Sequence, residues 1–279
     1  MKSMSRAVAA CISLAVTQAH AGWIEKAYAV TSRAGVEQTF VVSMEGRITD
    51  VNAVIHMVVM FSGGAGAIGS PVPGTREQKP GNVESLRGFM AERLGVAVSI
   101  GLPSDQQRGL SLEWRETEAH VQDVSAVMDV LAMKFPEARI TLLGFSNGAR
   151  SASHIGAALA PKWGKRLQGV VLLSSSMPAF RGEWMRALEA TKEPGKERAK
   201  VPVLVVQHKR DSCLPYREIE AEAKWHDFIT VDDVRQPRVN DFRRDCGDGS
   251  AHQFGGREEW VYQAVVDWIK TGKVAEMSN

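Results

Sequence analysis

Short apolar, β-branched runs alternate with stretches of helical period along most of the chain. Residues 54–61, Val-Ile-His-Met-Val-Val-Met-Phe, form a near-continuous apolar run, the pattern of a strand buried on both faces. Residues 96–100, 140–143, 169–173 and 201–206 repeat it, with a last strand at 228–231. Residues 25–31 and 38–44 read as a hairpin turning at Ala34-Gly35. Between these runs Val121, Val124, Val127, Met128, Leu131 and Phe135 recur at helical spacing, and Pro136 ends the run. Trp260, Val261, Ala264, Val265, Trp268 and Ile269 make a second stripe, closed by Gly272. Residues 216–227 predict a further helix. Strands alternating with amphipathic helices mean βαβ units. The fold class is α/β, a mostly parallel central sheet with helices on both faces.

The N-terminus follows a different rule. Lys2 and Arg6 open it, residues 7–16 are an apolar run, and Ala19-His20-Ala21 has the form of a cleavage site. That layout predicts a signal peptide over 1–21 and a single domain over 22–279. At 279 residues, 44% hydrophobic and 24% charged, the chain is of globular composition, with ample core for one domain. Cleavage removes two basic residues and no acidic one, taking the formal charge from +2 to neutral. Such a balance points to no nucleic-acid partner and no anionic membrane surface. No apolar stretch has the roughly 20 residues of a membrane-spanning helix, so no stable membrane anchor is expected. Cys11 leaves with the leader, and the remaining pair, Cys213 and Cys246, is expected to form a disulfide in an oxidising compartment. Two cysteines lack further ligands at metal spacing, so no metal site is expected.

The chemistry begins at Gly144-Phe145-Ser146-Asn147-Gly148. G-x-S-x-G alone is weak evidence, but here it follows a buried strand and precedes a helix rich in small residues, Ala149, Ser151, Ala152, Ser153 and Gly156. Strand, sharp turn and helix are the setting of a nucleophile elbow. A serine hydroxyl needs a base, and the base an orienting acid; in a fold with such an elbow the chain order is serine, acid, histidine. Asp211 lies just beyond the strand 201–206, where the acid belongs, with Asp227, Asp232, Asp233, Asp241, Asp245 and Asp248 as competitors. Only His226 and His252 follow it. His226 falls in the predicted helix 216–227, whereas His252 sits in a glycine-rich loop before the last helix and is the better base. His208, at a strand end, is a candidate for an outer contact. An oxyanion hole needs two donors. Asn147 N–H follows the nucleophile, and Ser62-Gly63-Gly64-Ala65-Gly66 follows the strand 54–61, which favours Gly64 N–H with Ala65 as the alternative. That loop has neither the Lys-Ser/Thr ending of a P-loop nor a G-x-G-x-x-G.

The order Ser62-Gly63-Gly64, Gly144-x-Ser146-x-Gly148, His208-x-x-Asp211 and His252-x-Phe254-x-Gly256 resembles the α/β-hydrolase superfamily over nearly all of residues 22–279. Leu102-Pro103-Ser104-Asp105-Gln106, with cysteines near acid and base, resembles exported proteobacterial hydrolases of poorly known substrate. The resemblance implies a Ser146-His252-Asp211 triad, an acyl-enzyme and no cofactor. It also implies a small, ester-like substrate, with thioesters, amides and peptides chemically open. Tannases and some feruloyl esterases link acid and base loops by a disulfide at the residues themselves. Cys213 and Cys246 stand two and six positions away, so that substrate class is not carried over. Only about two dozen residues lie between the strands 169–173 and 201–206, giving a short insertion instead of a large cap, in which Met177, Phe180, Trp184 and Met185 are candidates to line an acyl pocket. A non-catalytic binding protein on the same fold would predict a broken triad.

Overall fold

A computed structural model describes residues 12–19, 22–68, 82–175, 188, 201–224, 226–232, 246–247 and 249–274. The insertion between residues 175 and 201, with Met177, Phe180, Trp184 and Met185, lies outside the described residues except for Leu188. The strands are β1 (Ile12–Ala19), β2 (Trp23–Arg33), β3 (Val36–Glu45), β4 (His56–Phe61), β5 (Gly95–Pro103), β6 (Arg139–Phe145), β7 (Leu167–Leu173), β8 (Val203–His208) and β9 (Asp227–Val231). The helices are α1 (Asn82–Leu94), α2 (Glu118–Lys134), α3 (Gly148–Trp163), α4 (Tyr216–Glu222) and α5 (Glu258–Thr271).

One nine-stranded sheet has the order β1-β2-β3-β5-β4-β6-β7-β8-β9. From β5 to β9 every neighbour is parallel, and β1, β2 and β3 add an antiparallel flank. The hairpin turns at Ala34-Gly35 as the sequence predicts. Ile12–Ala19, within the segment read as a leader, lies along β2 as the sheet's edge.

The apolar runs are continuous because both faces of the sheet are covered. Met57, Val59 and Phe61 of β4 pack on one side with Val124, Val127 and Leu131 of α2 and Ala149, Ala152 and Ile155 of α3. Val58 and Met60 pack on the other with Leu86 and Met90 of α1 and Val261, Val265 and Ile269 of α5. Val203 and Val205 of β8 share the first side, Leu204 and Val206 the second. The strand period of two thus feeds two cores, and the carboxyl ends of β4, β6 and β8 open at the same end of the sheet.

Two expectations shift. The helix predicted over 216–227 is only α4, because the chain turns at His226, whose N–H donates to the Ala223 carbonyl (2.8 Å), and β9 begins at Asp227. On α5 the inward face includes Tyr262 and Val266, while Trp260 is exposed. No helix among the described residues is long and apolar enough to cross a membrane.

Candidate active site

β6 ends where Ser146 is forced into the left-handed region, φ 53°, a conformation that costs a non-glycine residue strain. Its N–H donates to the Leu173 carbonyl of β7 (2.9 Å) and its carbonyl accepts from Ala149 N–H (3.0 Å). The flanking glycines are sterically required. A Cβ on Gly144 would stand 2.3 Å from the Gly148 carbonyl oxygen, and one on Gly148 would stand 2.0 Å from the Phe61 carbonyl oxygen. Strand, elbow and helix can approach this closely only without side chains at those two positions.

His252 reaches the elbow from a single 3-10 turn, Ala251–Gln253, between β9 and α5. Phe254 follows in the left-handed conformation (φ 59°) with its ring buried, and Ser174 Oγ donates to the His252 carbonyl (2.5 Å). The imidazole is 2% exposed. Its Nε2 lies 3.0 Å from Ser146 Oγ and its Nδ1 lies 2.8 Å from Asp211 Oδ2. An ionised carboxylate can only accept, so Nδ1 carries the hydrogen and Nε2 is left to accept from the hydroxyl.

Asp211 stands in the turn after β8, 6% exposed. Oδ1 accepts from the N–H groups of Cys213 (2.9 Å) and Leu214 (3.1 Å), and Oδ2 accepts from Gln207 Nε2 (2.8 Å) as well as from His252. Four donors hold the carboxylate in one orientation. Its described competitors are otherwise engaged: Asp227 accepts from Trp268 Nε1 (2.7 Å), and Asp232 pairs with Lys209 (2.9 Å), whose hydrogen bond holds its carboxyl below the usual range. Asp233, Asp241, Asp245 and Asp248 lie outside the described residues. The structure therefore brings Ser146, His252 and Asp211 together. His226 takes no part in this chain of hydrogen bonds, and His208 turns its Nδ1 to the Arg210 N–H (3.0 Å).

Gln207 and Ser174 were not singled out from the sequence. Each has a signal there, a polar residue at the carboxyl end of an apolar strand run. In a doubly covered sheet such a residue must find a buried partner.

The loop after β4 abuts Ser146, since a Cβ on Gly63 would stand 3.0 Å from Ser146 Cβ. Among the described residues, the N–H groups of Gly64, Ala65 and Asn147 donate to no acceptor. The Leu102–Gln106 string is anchored on the antiparallel flank, where Ser104 exchanges hydrogen bonds with the Glu37 backbone and Asp105 pairs with Arg33 (3.0 Å). Further along, Leu110 N–H donates to the Ala65 carbonyl of the loop after β4 (2.8 Å).

Cys213 and Cys246 form a disulfide, with Cα atoms 5.3 Å apart. It ties the turn of Asp211 to the approach to the His252 loop, where Gln253 Nε2 donates to the Cys246 carbonyl (3.1 Å). Asp211, Cys213 and His252 could offer ligand atoms within 4.8 Å of one another. The Cys213 sulfur is bonded to Cys246 and the carboxylate already accepts four hydrogen bonds, so the group does not fit a metal. For the 33-residue separation, closure should contribute roughly 3 to 4 kcal/mol. Cys213→Ala/Cys246→Ala is expected to lower the unfolding midpoint and to reduce kcat even well below that midpoint. Full kcat in the folded double variant would leave the bridge a stabiliser only.

Doubly covered parallel strands, the elbow, and an acid and a histidine on the following loops together define the α/β-hydrolase fold. Neither a scan against protein-family models nor a search of curated protein sequences finds a match. Solved structures do match in three dimensions. A cold-adapted esterase from an Arctic intertidal metagenomic library is similar over 94% of this chain and 100% of its own, with TM-score 0.60 and 12% identity. Est1E from Butyrivibrio proteoclasticus is similar over 88% and 97%, with TM-score 0.55 and 15% identity. XC6422 from Xanthomonas campestris, described as an α/β serine hydrolase without a lid, is similar over 86% and 92%, with TM-score 0.52 and 15% identity.

Proposed function

We propose that the protein is a serine hydrolase acting on carboxylic esters. The observation that carries this reading is the Ser146–His252–Asp211 chain, at 3.0 and 2.8 Å, on a strained elbow. As His252 Nε2 takes the hydroxyl proton, Ser146 Oγ bonds to the ester carbonyl carbon and the carbonyl π pair moves to oxygen. Asp211 holds the imidazole in the required tautomer and stabilises its charged form. The resulting oxyanion is met by the N–H groups of Asn147 and of Gly64 or Ala65. Collapse expels the alcohol, which takes the proton from His252. Water, deprotonated by the same imidazole, then attacks the acyl carbonyl, and collapse releases the acid as Ser146 Oγ takes the proton back from His252. Every proton and electron pair is accounted for by these groups and water, so the cycle as written needs no cofactor.

The esterases among the structural neighbours support the ester over the amide or thioester. A matched panel tests the choice: p-nitrophenyl esters of rising chain length, the corresponding thioesters and p-nitroanilides. Ester hydrolysis absent from Ser146→Ala is expected. Faster turnover of the anilides or thioesters would move the assignment to an amidase or thioesterase. No turnover above the Ser146→Ala background, on any arm, would favour a binding protein.

We also propose export, with residues 1–21 as a cleaved leader and a periplasmic or secreted domain over 22–279. The disulfide supports an oxidising compartment. Because β1 is an edge strand, its removal leaves all the other strand pairs as they are. The intact mass of the exported protein should begin at Gly22 and show no free thiol.

A further inference from the structure

The loop after β4 is held from behind by a buried cation. Arg115 is 1% exposed and donates from Nη2 to the Gly64 carbonyl (3.0 Å) and from Nη1 to Ser151 Oγ of α3 (3.0 Å). Gly66, at φ +81°, makes room for it, because a Cβ there would stand 2.9 Å from Nη2. No carboxylate among the described residues pairs with this guanidinium, and the adjacent Glu116 pairs with Arg150. His120 is also buried, and burial, then the charges of Arg115 and His154, push it down to about 3, so it is neutral. Burial likewise pushes Arg115 down to about 10, which leaves it charged at neutral pH.

A buried charge without a carboxylate partner among the described residues is costly, and a methionine or leucine would fill the same space without that cost. The retained charge makes sense if its counter-ion is present only during turnover. The geometry points the same way. A peptide group is planar and trans, so fixing the Gly64 carbonyl fixes the direction of the Ala65 N–H. Leu110 N–H holds the next carbonyl, that of Ala65 (2.8 Å), and the Gly63 carbonyl accepts from Gly66 N–H (2.9 Å). Three successive carbonyls are thus pinned, and among the described residues Arg115 is the one charged group among their donors. Asn147 Nδ2 adds a longer contact to the Gly64 oxygen (3.4 Å).

We propose that Arg115 is a positioning residue for the oxyanion site: it orients the Gly64–Ala65 peptide and sets a positive charge behind the N–H groups that receive the developing negative charge. This rests on the reading of Ser146 as nucleophile. It adds a residue that touches neither the substrate nor the triad.

Saturation kinetics with a fluorophosphonate probe tests it without knowledge of the natural substrate. Ser146 Oγ bonds to phosphorus, fluoride leaves, the proton passes to His252, and negative charge builds on the phosphoryl oxygen on the way. For Arg115→Met with a wild-type circular dichroism spectrum, the maximal labelling rate is expected to fall by about ten-fold or more. The half-saturating probe concentration should not change. Arg115→Lys should recover part of the rate. Should Arg115→Met fail to fold, Ser151→Ala, which frees Nη1, is expected to slow the same step by a smaller factor. A folded Arg115→Met with the wild-type maximal rate overturns the proposal, as does a loss confined to half-saturation. In the second case a wild-type rate for Ser151→Ala overturns it. Wild-type protein that is not labelled at all overturns instead the serine-hydrolase reading.

Discussion

Asp211→Asn is expected to lower kcat by about 10⁴-fold while leaving the fold intact. Two backbone N–H groups, of Cys213 and Leu214, converge on Oδ1. The asparagine oxygen must therefore take that position, which turns its NH₂ towards His252 and Gln207. An amide N–H facing Nδ1 selects the tautomer with the hydrogen on Nε2, and that nitrogen can then no longer accept the Ser146 proton. Gln207 can accommodate the change, because its Oε1 is buried without a partner among the described residues, and a rotated amide would present it to the new donor. Stability should thus move far less than rate. Steady-state kinetics beside a thermal melt checks this, and near wild-type turnover in the variant would remove Asp211 from the mechanism.

His252→Ala is expected to cost on the order of 10³-fold or more in kcat. The side chain is buried, but the loop has other anchors, Phe254 in the core and the Ser174 hydroxyl on the residue 252 carbonyl. The backbone should hold. A variant with most of its activity would move the base elsewhere.

The sheet was legible because burial on both faces writes strands as unbroken apolar runs. The elbow was legible because its glycines stand where any Cβ would strike the backbone of β4 or α3. Helix α1 was not. Leu86, Met90 and Leu94 recur there at helical spacing, but Gly88 interrupts the run, because the Trp23 ring fills the space a side chain would take. The strand Ile12–Ala19 was hidden by a leader composition, as small apolar residues serve both purposes. Asp211 and His252 could be ranked by chain order, but the two backbone donors on the carboxylate, the N–H groups of Cys213 and Leu214, come from a local turn that no pattern announces. Arg115 lies in a stretch that reads as surface, Glu113-Trp114-Arg115-Glu116, and only the fold shows which of those charges faces inward.

Intact-mass analysis after incubation with a fluorophosphonate, followed by peptide mapping, tests the nucleophile most directly. One phosphonyl group per native chain is expected, on the peptide carrying Ser146, absent from Ser146→Ala and abolished by unfolding. No adduct on native protein, or an adduct that persists in Ser146→Ala, would contradict the assignment of Ser146 as the nucleophile.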